Sequence, residues 1–175
     1  CSSTDWPLLE RIAAADKPVI ASTAGTELQD IDQVVSFFQH RKKEFAILHC
    51  VGEYPTKPAQ LQINQIDLFQ ERYPDVSIGY STHEEPDNTD SIKLAVAKGS
   101  MIFEKHVAIH TEAYPKNAYS ATPDQIKAWL EAASLAFSMC GVADGRHVFS
   151  EKEQADLRQF KRGVFVNRAI KAGER

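Results

Sequence analysis

The chain predicts an α/β fold built on a parallel sheet, and three observations carry that prediction. Short apolar runs alternate regularly with amphipathic stretches. The runs are almost continuously apolar, as strands buried on both faces are. Each run also ends in polar, chemically capable residues: Ser22-Thr23, Glu53-Tyr54 just beyond Cys50, Ser81-Thr82-His83, and Glu104-Lys105-His106.

The first strand is expected at 18–22 (PVIAS), followed by a helix over 28–43 whose Ile31, Val34, Val35, Phe37 and Phe38 fall on one face. The second unit pairs FAILHC at 45–50 with a helix over 58–73, and the third pairs VSIGYS at 76–81 with a helix over 90–99. The fourth pairs MIFEKHV at 101–107 with a long helix over 122–141. Thr122 followed by Pro123 is a helix start, and Gly99 and Gly141 are helix stops. Near residue 142 the rhythm ends in a polar, charged stretch, and VFVNRAIKAGER from Val164 opens a new β-like run.

Four βα units make either a small doubly wound sheet or half of a (βα)₈ barrel. A doubly wound sheet concentrates its chemistry at one switch point, whereas a barrel draws on many strand ends. Polar residues at all four strand ends favour the barrel.

Composition bounds the function. With 43% hydrophobic and 25% charged residues the chain reads as an ordinary globular domain. A formal charge of −4, with both signs interspersed, offers no basic stripe for nucleic acid and no basic amphipathic helix for a membrane surface. Cys1, Cys50 and Cys140 are odd in number and widely spaced, which argues against a disulfide framework and for a reducing, cytoplasmic setting. The chain opens on Cys1 rather than Met, so a piece of a longer protein is expected.

His83 and His106 carry the sharpest chemical expectation. Both end predicted strands, and strand ends of a βα fold converge on one rim. Two neutral imidazoles there form a partial shell for a divalent ion such as Mn²⁺, with open positions for water or substrate; the plainer alternative is two hydrogen-bonded rim histidines. Strand alternation puts Glu104 on the side of His106 and turns Lys105 toward the helices. Ser22, Thr23 and Ser81 offer hydroxyls at strand ends, as anion ligands or helix caps. Tyr54-Pro55-Thr56 could aim a phenol over the rim or form a simple turn. His49 reads as a satisfied core residue and Cys50 as a buried structural thiol.

With PVIASTAGT, LHCVGEYPTKP, IGYSTHE, MIFEKHV and RGVFVNRAIKAGE in view, the chain resembles the sialic acid synthase family, the phosphoenolpyruvate-dependent synthases of N-acetylneuraminate and related nonulosonic acids. Within it the resemblance is nearest to the spore coat polysaccharide biosynthesis branch. It implies the C-terminal half of a (βα)₈ TIM barrel, strands five to eight, over residues 1–143, a linker at 144–162, and the start of an antifreeze-like (SAF) domain at 163–175.

The resemblance further implies His83 and His106 as metal ligands, Mn²⁺ first with Mg²⁺ or Co²⁺ as alternatives. It implies Ser22 and Ser81 as ligands of phosphoenolpyruvate, and Tyr54 beside the amino sugar. Tyr54 and Glu104 are the candidate catalytic residues, and Lys116 and Asn117 candidate sugar-binding residues. The reaction implied is attack of phosphoenolpyruvate C3 on the aldehyde of an N-acetylmannosamine-type sugar, water addition at C2, and phosphate loss by C–O cleavage. A homodimer and a missing N-terminal barrel half are implied too, and the isolated piece is expected to be inactive. The rival reading is a degenerate half barrel that binds sugar or metal, or serves assembly, without turnover.

The family pattern is broken at Thr82, where Asp is usual, at Gly52, where Ser or Asn is usual, and in the loop YPKNAYS. There Lys116 replaces an aspartate, exchanging an acceptor-only group for a donor-only one and reversing what the loop can recognise.

Overall fold

The computed structural model describes residues 3–174, so Cys1 lies outside the described residues. The chain divides into two units, one ending at Cys140 and one beginning at Gly141.

The first unit holds four strands, β1 (Val19–Ser22), β2 (Phe45–His49), β3 (Ser77–Thr82) and β4 (Phe103–Lys105), all parallel and in the spatial order β1-β2-β3-β4. Sequential order means that each crossover advances in the same direction, so the helices gather on one face. They do: Ile31 and Val35 of α2 (Leu28–His40), Ile66 and Phe69 of α3 (Gln65–Arg72) and Ala95 of α4 (Asp90–Ala97) share one core with Ile47, Ile78 and Tyr80. There is no switch point among these strands, which removes the doubly wound alternative and leaves a parallel half barrel.

Two further helices complete the unit. The last, α5 (Pro123–Cys140), packs Trp129, Ala132, Ala133 and Ala136 on Ile92 and Val96 of α4. Its start is a reciprocal cap: Thr122 N–H donates to Gln125 Oε1 at 2.9 Å, and Gln125 N–H to the Thr122 hydroxyl at 3.4 Å. Ahead of β1, α1 (Trp6–Ala13) begins at Asp5, whose carboxylate accepts from Leu8 N–H, and seats Leu9 against Val34 and Phe38. Arg72 donates twice to Asp32, at 2.7 Å each, and Tyr73 once at 2.8 Å, tying α3 to α2.

Several expected boundaries are corrected. The helix expected over 58–73 is a 3₁₀ turn at Pro58–Gln60 followed by α3, because Gln62 adopts φ +49° and breaks the ladder between them. The strand expected over 101–107 shortens to β4, since pairing with β3 ends at Lys105. Gly99 and Gly141 adopt φ +86° and +67° at helix ends, the left-handed conformation that stops a helix.

The second unit contains α6 (Glu151–Arg158), where Ser150 accepts from Glu153 N–H at 3.0 Å. The β-like run expected from Val164 forms no strand among the described residues: Val164, Phe165 and Val166 are exposed, with no ladder partner.

Candidate functional site

Register assigns each strand-end side chain to a face. Ser22 pairs with Leu48, Leu48 with Gly79, and Ser81 with Glu104, so these residues share the face turned away from the helices. Ser22 and Ser81 lie two strands apart and two residues out of level, roughly 12 Å. Ser81 is buried, whereas Ser22 and Glu104 are exposed. Gly79 is required here: a Cβ would collide with the Ile102 carbonyl oxygen and Leu48 Cδ2.

At the open end of this face the rings of His83 and His106 stand 5.1 Å apart, centroid to centroid. His83 is 5% exposed and its Nδ1 lies 3.0 Å from the Val51 carbonyl oxygen. A carbonyl only accepts, so Nδ1 carries a proton, and in the neutral ring Nε2 is the nitrogen with the lone pair. This is the tautomer a metal-ligating histidine adopts when a backbone carbonyl orients it. Cys50 Sγ lies 3.6 Å from the same Nδ1. Among the described residues no cluster of three or more His, Cys, Asp or Glu is arranged to hold an ion. Two adjacent imidazoles alone fit part of an open shell, of the kind in which water and substrate supply the remainder.

Two loops wall this pair. The first is anchored on β3: Thr56 N–H donates to the His83 carbonyl at 3.1 Å and the Thr56 hydroxyl to the Glu53 carbonyl at 2.7 Å. That seats the Tyr54 ring 4.3 Å from His83. The second follows β4 and loops round to a parallel bridge at Val107, just beyond that strand, with Ala121 N–H donating to the His106 carbonyl at 2.8 Å and Ala108 N–H to the Ala121 carbonyl at 2.9 Å. It brings Tyr119 edge-on to His106 at 5.0 Å and within 4.9 Å of Tyr54. Tyr119 is the site residue sequence reasoning missed. It stands in YPKNAYS, but only the long-range bridge of Ala121 to Val107 shows where its ring goes.

Lys116 and Asn117 hold that loop. The Lys116 ammonium donates to the Ser120 carbonyl at 2.9 Å, and Asn117 Oδ1 accepts from Ser120 N–H at 2.8 Å. The polar ends of both side chains are thus engaged in the backbone that presents Tyr119.

His49, on the helix-facing side of β2, gives its Nε2 to the Leu61 carbonyl at 2.8 Å, and burial pushes its pKa below the ordinary value. Lys105 faces the helices as alternation requires: it pairs with Glu84 at 3.0 Å, both side chains 1% exposed, with its ammonium over the Trp129 ring. Thr23 is buried on the Leu48 carbonyl at 3.0 Å.

A parallel half barrel with imidazoles, hydroxyls and a carboxylate on its C-terminal rim defines a class of barrel protein whose site is built at strand ends. The comparisons narrow it: the NeuB family model matches residues 1–144, and the chain belongs to that family. A solved structure of a candidate spore coat polysaccharide biosynthesis protein E from Chromobacterium violaceum ATCC 12472 is 54% identical, with TM-score 0.88, covering 99% of this chain and 52% of that one. A solved N-acetylneuraminic acid synthetase from Leptospira borgpetersenii serovar Hardjo-bovis is 28% identical, with TM-score 0.80, covering 91% of this chain and 55% of that one. N-acetylneuraminate-9-phosphate synthase of Drosophila melanogaster is 30% identical over 142 residues, 80% of this chain and 37% of the relative. The chain spans about half the length of the solved relatives it matches. Among the described residues no helix is long and apolar enough to cross a membrane.

Proposed function

We propose that this chain supplies the C-terminal barrel half of a phosphoenolpyruvate-dependent synthase of a sialic- or nonulosonic-type acid, and that His83 and His106 hold its divalent ion, Mn²⁺ first. The single observation that carries the reading is the histidine pair: two rings 5.1 Å apart at the C-terminal rim, one already oriented by a backbone carbonyl, in a chain of the NeuB family. When bound, such an ion supplies Lewis acidity toward an aldehyde oxygen and a place for water.

The chain's own residues do the rest. Ser22 and Ser81 donate hydroxyl hydrogen bonds to the phosphate and carboxylate of phosphoenolpyruvate, Ser81 from a buried position beside Glu104. Tyr54 and Tyr119 flank the histidine pair at the sugar end of the site. Glu104 is placed on the face of Ser81 to move a proton at the reacting carbons. In the reaction, C3 of phosphoenolpyruvate bonds to the sugar aldehyde carbon, whose oxygen takes a proton. Water adds at C2 and loses a proton, and phosphate leaves with the C2–O bond. Lys116 and Asn117 act on the sugar through the loop that carries Tyr119. The residues from 163 onward begin an antifreeze-like domain in this reading, and the whole protein works as a homodimer.

The test is phosphate release from phosphoenolpyruvate and an N-acetylated amino sugar. The chain is assayed together with the half barrel that precedes strand five in its relatives, with and without Mn²⁺. Release that needs Mn²⁺ and falls at least a thousandfold in His106→Ala supports the synthase. Metal or sugar binding without phosphate release overturns it in favour of a binding module.

A further inference from the structure

We infer that the buried Glu84–Lys105 ion pair is the positioning element that sets the spacing of His83 and His106. The inference rests on the proposed role of those histidines. Each member of the pair is the sequence neighbour of one histidine: Glu84 follows His83 and Lys105 precedes His106. Alternation sends the histidines to the rim of the open face and the two charges to the helix side. The last register pair between β3 and β4 is Thr82 with Lys105. Beyond it no backbone ladder joins the strand ends, and the Glu84–Lys105 bridge at 3.0 Å takes over their separation. The bridge is itself held from behind. The Ser91 hydroxyl of α4 donates to Glu84 Oε1 at 2.8 Å, and the Trp129 ring of α5 lies 5.7 Å from the Lys105 ammonium.

Stability alone does not account for this arrangement. Glu84 is fully buried, and its Oε2, like Trp129 Nε1, makes no hydrogen bond to the protein. A pair desolvated this far and left partly unsatisfied is generally matched or bettered by apolar side chains of the same volume. What apolar side chains do not reproduce is a directional link of fixed length between the two strand ends. Neither group reaches the open face, so both act through the histidines and neither is catalytic.

The test compares the native chain with the double variant Glu84→Leu/Lys105→Met, which removes both charges and leaves none stranded. Two readouts are taken: ring-proton NOEs between His83 and His106 without metal, and Mn²⁺ affinity by EPR titration. The double variant is expected to unfold cooperatively at or above the native midpoint, to lose the inter-ring NOEs, and to bind Mn²⁺ at least tenfold more weakly. Lys105→Arg, which keeps charge and reach, is expected to restore affinity to within threefold of native. A folded double variant that keeps the NOEs at native intensity overturns the inference. Should the double variant fail to fold, Glu84→Gln/Lys105→Met carries the same comparison, because it keeps the Ser91 acceptor, strands no charge and removes the link. A native chain that binds no Mn²⁺ defeats the metal reading instead, and the NOEs then decide the positioning claim alone: lost in the variant, it stands; kept, it falls.

Discussion

The β3–β4 end of the sheet and the β1 end are built from the same repeating unit, yet they are finished differently. At β3–β4 the strand ends are linked behind by a buried ion pair and walled in front by Tyr54 and Tyr119. At β1 the face away from the helices is open, with Ser22 exposed and Ile20 59% exposed, and an apolar cavity of about 350 Å³ lies between the strand and the helix residues Leu9, Ile12, Val34 and Phe38. The histidine half of the candidate site is assembled by this chain's own packing. The Ser22 half rests on an edge strand with no partner on its outer side among the described residues. Pre-organisation is thus concentrated where a metal is proposed to sit, and the Ser22 hydroxyl, proposed to face phosphoenolpyruvate, is the part most dependent on what adjoins β1.

Perturbing the finished end costs most. Lys105→Ala leaves the Glu84 carboxylate buried without its partner and is expected to lower stability by about 3–5 kcal/mol, read by urea unfolding. An unchanged midpoint would show that the pair does not hold this end together. Next comes Gly79→Ala, which drives a methyl into the Ile102 carbonyl oxygen and Leu48; a loss of about 1–3 kcal/mol is expected, again by urea unfolding, with His83 and His106 resonances shifted.

A smaller effect separates the histidines by protonation. His49 is held neutral by burial, so its folded-state pKa lies below the ordinary 6.5 while the unfolded chain titrates near that value. Below about pH 6.5 the unfolded state binds more protons, and stability falls with pH from there down to the folded value, by no more than about 1.4 kcal/mol per pH unit. His49→Gln, whose amide can still donate to the Leu61 carbonyl, is expected to flatten that slope. A slope unchanged in the variant would move its origin elsewhere. The open end should answer in a different observable: Ile20→Lys leaves the unfolding midpoint within about 0.5 kcal/mol and lowers self-association in sedimentation, because a charge on an exposed edge opposes strand pairing.

How far the sequence foretold this molecule depended on the range of the interactions involved. The strands, the start of α5 and the glycine stops were legible because apolar period, capping residues and left-handed glycines act within a few residues. The same local signals stood at the ends that were missed. Asp5 with Pro7 opens α1, ahead of the first βα unit, and Ser150 with Glu153 opens α6, in a stretch whose polarity masked it. Gln62 was not legible, since a non-glycine residue at positive φ gives no compositional sign. In the site, alternation alone put Glu104 and Lys105 on opposite sides. Tyr119 escaped because its place depends on Ala121 bridging Val107 beyond β4, and the engagement of Lys116 and Asn117 with Ser120 was not legible because it is a matter of loop conformation rather than pattern. The β-like run from Val164 had the right residues for a strand and no partner to pair with among the described residues.

The central claim is that the imidazoles of His83 and His106 share one divalent ion. EPR titration of Mn²⁺ into the native chain, His83→Ala and His106→Ala tests it most directly. One Mn²⁺ per native chain, lost in either variant while both stay folded by circular dichroism, is the predicted result. Native-like Mn²⁺ uptake in either variant, or none in the native chain, would contradict the account.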